Sequence, residues 1–138
     1  MAFVTTLVRV LLGGVFVAIG ILHFIRPAAF TSIVPPYLPF PLALVYLSGA
    51  AEITLGALLL FAKTRRVAAW GLIALLVAVF PANVHMWLHP EQFLGLSPVA
   101  LLIRLPLQLV LVALVYWVGL AGRVRPASRA GTVGAAWR

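Results

Sequence analysis

Glu52 is the residue that most restricts how this chain can fold. It stands about ten residues into an apolar run that opens after Pro41 and includes 48–62, SGAAEITLGALLLFA, long enough to cross a bilayer. A charge at that depth costs at least about 2–3 kcal/mol unless it is paired, protonated or solvated. Something else in the chain must answer it, and the candidates are His23, the Asn83/His85/His89 group, and Arg104 with Gln108.

The remaining sequence fits a membrane setting. Hydrophobic residues make up 64% and charged residues 9%, whereas soluble domains carry about a quarter charged. Such a chain cannot cover a water-facing surface. Apolar runs at about 4–25, 42–62, 67–88 and 99–119 predict an all-α fold, a four-transmembrane-helix bundle over residues 1–121. The first run is too long for a secretory signal core and leads into His23 and Arg26 rather than a small-residue cleavage site, so it reads as a retained span.

Lys and Arg number 10 against 2 Asp and Glu, a formal charge of +8. The basic residues flank apolar runs, the pattern of topology determinants and anionic-lipid contacts, and nucleic-acid binding is not expected. The Lys63-Thr64-Arg65-Arg66 link is cytoplasmic by the positive-inside tendency. An even number of spans then puts both termini in the cytoplasm, with 122–138 a basic, disordered tail carrying Arg123, Arg125, Arg129 and Arg138. The predicted location is a membrane, as a multi-pass protein. With no cysteine, the chain itself offers no disulfide, thiolate metal site or dithiol chemistry.

Gly13, Gly14 and Gly20 in the first span, and Gly49 and Gly56 in the second, predict close helix approach. Arg9 can snorkel to headgroups. Five prolines within 26–41 preclude a continuous helix, yet this segment is apolar. It is expected at the interface or folded back over the bundle mouth, with a helical turn over 28–33 and Tyr37 as an interfacial anchor. Pro81 predicts a kink beside Asn83 and His85 in the third span, and Pro106 a kink within a single fourth helix.

With this topology the polar residues of all four spans fall in the outer half. Glu52 and Arg104 are the one oppositely charged pair placed for burial, as a structural salt bridge or as parts of a site. Ser48 lies one turn from Glu52 on the same face. Asn83 could satisfy a carbonyl freed near Val79 or meet a ligand, and Gln108 is equally ambiguous. His85 and His89 could share a face. Three histidines and a carboxylate suffice for a metal site by residue type, but hydrogen bonding or proton relay fits the spacing better and no metal is assigned. No phosphate loop, nucleotide fingerprint or serine–histidine–acid arrangement is present.

Several stretches together resemble the DoxX-like family of small four-span bacterial membrane proteins. They are Gly20-Ile21-Leu22-His23-Phe24 with Pro27 and Phe30, Val34-Pro35, and Ser48-Gly49-Ala50-Ala51-Glu52 with Gly56. Ala78-Val79-Phe80-Pro81-Ala82-Asn83 and Arg104 with Pro106, Leu107 and Gln108 complete the set. The resemblance implies a multi-pass protein of the bacterial inner membrane, accessory to quinone-dependent or thiol-related redox systems; the lack of cysteine departs from any member acting through a dithiol.

The leading expectation is therefore a pocket for a quinone or another lipophilic molecule, contacted by Glu52, His23, Asn83, Arg104, Gln108, Ser48 and Tyr37. No intrinsic cofactor is expected. The expected partners are membrane lipid, a membrane redox protein and further copies of the chain. The alternatives are a stand-alone enzyme using Glu52 with His23 or His85 as acid and base, and a structural or assembly subunit.

Overall fold

The computed structural model describes residues 2–121. The predictions for the 122–138 tail lie outside the described residues. Within them the fold is all-helical: α1 (Ala2–Ile25), α2 (Pro27–Thr31), α3 (Pro41–Leu59), α4 (Arg65–Leu88), a 3-10 turn (Pro90–Gln92) and α5 (Pro98–Gly119).

Local chemistry sets the boundaries. Pro27 and Pro41 occupy the first turns of α2 and α3, where a missing N–H leaves no bond unmade. Phe40, just before α3, adopts φ 54°, a left-handed conformation that turns the chain into the helix. α3 ends at Leu59, short of the predicted 62, and the Thr64 hydroxyl donates to the Leu58 carbonyl at 2.7 Å, closing the link to α4. The Ser97 hydroxyl accepts from the Ala100 N–H at 3.1 Å and caps α5. Pro81 and Pro106 lie inside α4 and α5, and both helices continue past them.

α1, α3, α4 and α5 are each long and apolar enough to cross a membrane; the shortest has 19 residues, about 28 Å at 1.5 Å per residue. Leu47, Val67, Trp70 and Leu109 are all at least 60% exposed. In water that surface would be untenable, and against lipid it costs nothing.

The four long helices form a ring in which α1 packs on α3, α3 on α4, α4 on α5, and α5 returns to α1; α2 rests on α1 and α3. Two glycine pairs set the α1–α3 approach. A Cβ on Gly13 would fall 2.8 Å from the Gly56 carbonyl oxygen, and one on Gly20 would fall 2.7 Å from that of Gly49. At the end of the bundle holding the α3–α4 link, Leu12, Phe16, Leu59, Leu72, Leu76, Val115 and Val118 make a closed core with Ala68 and Ala69. The opposite end is not filled this way.

Candidate functional site

A cavity of about 470 Å³ occupies that opposite end. Its walls come from five segments. α1 contributes Ile19 and His23, and α2 with the following loop contributes Phe30, Ile33, Val34, Pro35 and Leu38. From α3 come Leu44, Val45, Leu47, Ser48, Ala51 and Glu52, from α4 Leu75, Ala78, Val79, Ala82 and Asn83, and from α5 Arg104. The proline-rich loop thus folds back over the bundle mouth as a roof, which its apolar composition anticipated.

His23 is buried and stacks on Phe30, with ring centroids 3.8 Å apart. Its Nδ1 lies 2.9 Å from the Ile19 carbonyl oxygen. A carbonyl only accepts, so Nδ1 carries the proton and donates it there. Glu52 Oε2 is 3.6 Å from the same Nδ1, beyond hydrogen-bond distance, and is enclosed without a hydrogen-bond partner. No hydrogen bond reaches Oε1 either among the described residues.

A second polar chain runs between α4 and α5. Gln108 Nε2 donates to the Leu76 carbonyl, Asn83 Nδ2 donates to Gln108 Oε1 at 2.7 Å, and Arg104 Nε donates to Asn83 Oδ1 at 3.1 Å. Its direction is fixed at both ends, since a carbonyl can only accept and a guanidinium can only donate. Both amides are thereby oriented, and Arg104 is held at the cavity wall with one of its five N–H donors in use.

The Glu52–Arg104 salt bridge considered from sequence is not formed: Glu52 approaches His23, and Arg104 bonds Asn83. On an exposed side chain in the N-terminal half of α5, the guanidinium meets the neutral amide one helix away. Asn83 likewise serves no carbonyl near Val79; Gln108 takes the Leu76 carbonyl in the turn before Pro81.

Of the residues predicted for the site, His23, Ser48, Glu52, Asn83 and Arg104 line the cavity. Gln108 is buried behind Asn83 as its support. His85 is buried away from the cavity, its ring 4.6 Å from that of His89 and edge-on to Phe93. His89 Nδ1 lies 3.3 Å from Glu91 Oε1. Tyr37 is 68% exposed and outside the lining. Among the described residues no three metal-ligating side chains converge. Sequence reasoning missed the wall residues of the roof, Phe30 above all; the His23–Phe30 spacing of seven crosses a helix break at Arg26, so no periodicity signals the stack.

Fold and site together define a small helical bundle of membrane-spanning type with a largely apolar cavity at one end and polar groups on its wall. Residues 12–119 match the family model described as a domain of unknown function (DUF8561), and the chain belongs to that family. No curated protein and no solved structure matches it.

Proposed function

We propose that the protein binds a lipophilic small molecule within the membrane, the polar head set among His23, Ser48, Glu52, Asn83 and Arg104 and the apolar part against α3, α4 and the roof. The observation that carries this reading is the cavity itself. Its volume of about 470 Å³ lies in the range of small-molecule sites, which pair apolar walls with a few placed polar groups. A quinone is one such molecule. With the DoxX-like resemblance, it makes the protein an accessory to a membrane redox system, positioning the quinone for a partner that carries the electrons. The basic Lys63–Arg66 link supports a cytoplasmic location for that end, and hence for both termini, in a bacterial inner membrane.

A catalytic version draws on Glu52 and His23, 3.6 Å apart at the cavity wall; His85, outside the lining, has no part in it. Turnover of a lipophilic substrate by purified protein without a partner separates this version from an accessory role.

Native mass spectrometry of the protein extracted with its membrane lipids, wild type beside Glu52→Gln, tests the binding reading. A quinone or other non-phospholipid lipophile retained by the wild type and depleted in the variant is the expected result. Ordinary phospholipid alone on both proteins, in equal amounts, would refute a dedicated site.

A further inference from the structure

Resting on the reading of the cavity as a lipophilic site, we propose that its ligand carries a hydroxyl group directed at Glu52: an alcohol or phenol, and in the quinone series the quinol rather than the quinone. The inference starts from which polar groups are already satisfied. The Nδ1 proton of His23 is committed to the Ile19 carbonyl 2.9 Å away. The Asn83 and Gln108 amides are bonded to each other and to Arg104 and Leu76. Among the described residues Glu52 Oε2 is the one enclosed polar atom of the cavity lining without a hydrogen-bond partner; the Ser48 hydroxyl, which also makes no hydrogen bond, is not enclosed.

An enclosed polar group without a partner is costly, so the ligand that supplies one is selected. A hydroxyl donates to a carboxylate and accepts from a carboxylic acid, so it satisfies Glu52 in either protonation state. An ether or quinone oxygen can only accept and serves the acid alone. A cationic amine would also complement a carboxylate, but Arg104 lines the same cavity with a permanent positive charge and no acidic partner among the described residues. In that field a neutral donor is favoured over a cation. The free N–H groups of Arg104 suit a second, acceptor oxygen on the ligand.

The test is a competition on the full chain in detergent, read by native mass spectrometry. 4-Nonylphenol and its methyl ether have nearly the same shape and differ in the donor hydrogen. The phenol is expected to displace the ether with about tenfold preference, the size of effect that an unpaired buried group produces. In Glu52→Leu that ratio should fall to about one while the ether still binds, which shows that the cavity is intact. Glu52→Gln exchanges one acceptor for a donor and should bind the phenol more weakly than the wild type, with a ratio between the wild-type value and one. Equal occupancy of the wild type by both probes would overturn the hydroxyl inference while leaving a lipophilic site in place. Preferential loading of nonylamine over the phenol would overturn it too. Binding of none of the three probes would overturn it together with the site reading beneath it.

Discussion

The two ends of this bundle use small residues in opposite ways. At the closed end, small residues face the neighbouring helix closely: a Cβ on Gly119 would overlap that of Ala69, and one on Gly56 would lie 2.9 Å from the Gly13 carbonyl oxygen. There the helices touch, and Leu59, Leu72, Val115 and Val118 fill what remains. At the open end Ser48 and Ala51 of α3 line the same space as Ala78 and Ala82 of α4, and that space is the cavity. Small side chains bring helices together when a backbone lies opposite. When small side chains from two helices border one space, they leave volume. Burial in lipid gains little from the hydrophobic effect, so helix contact and polar bonding must hold the bundle. The closed end relies on contact, the open end on the two polar groups around His23 and Gln108.

The largest expected loss of stability follows from opening the closed end. Leu72 is fully buried in the core, and Leu72→Ala leaves a hole there. In water such a change costs about 2–5 kcal/mol. Here the unfolded reference keeps the side chain in lipid, so the low end, about 2 kcal/mol, is expected. Denaturation in mixed micelles checks the figure, and the lipophile occupancy of the folded fraction should not change. A fall in occupancy would show that the two ends are coupled.

Gly49 stands where the ends meet. A Cβ there would lie 2.6 Å from His23 Cβ and 2.9 Å from the Gly20 carbonyl oxygen. Gly49→Ala should cost about 1–2 kcal/mol by overpacking and also displace His23, lowering cavity occupancy severalfold. Lost stability with unchanged occupancy would mean that the α1–α3 contact belongs to the closed end alone.

The contrast was partly visible in the residue pattern. Apolar runs predicted the four long helices, and the glycines of the first two spans anticipated a close approach that the structure realises as two pairs, Gly13 with Gly56 and Gly20 with Gly49. Outer-half polarity also led to His23, Ser48, Glu52, Asn83 and Arg104. The partners were harder to read, because pairing depends on rotation of one helix against another, which no single helix records. Glu52 and Arg104 are the obvious pair by charge, but α3 packs on α1 and brings Glu52 to His23, which the sequence offered among several candidates without a way to choose. His85 and Asn83 are two residues apart and so point about 200° apart around α4. Only one of them can face the cavity, and nothing in the sequence says which.

Gln108→Leu probes the polar chain that holds the open end. It removes the bonds to Leu76 and Asn83 and should cost about 1 kcal/mol, the usual scale for a hydrogen bond between membrane helices. Asn83 then turns freely and Arg104 loses its fixed position, so the preference for ligands with an acceptor oxygen should weaken more than total occupancy. Equal loss for all ligands would make the chain helix glue rather than a positioning device.

The smallest effect is expected at Tyr37, which borders the open end in sequence but stands 68% exposed, outside the cavity wall. Its ring suits the headgroup region, where an aromatic anchor keeps most of its worth without the hydroxyl. Tyr37→Phe should change stability by less than about 0.5 kcal/mol and leave phenol and ether occupancies as in wild type. A severalfold loss confined to one of the two probes would place the Tyr37 hydroxyl on the ligand in the bound state. The roof between Ser32 and Phe40 would then close further over an occupied cavity than over an empty one, and the open end would be a mobile site rather than a fixed one.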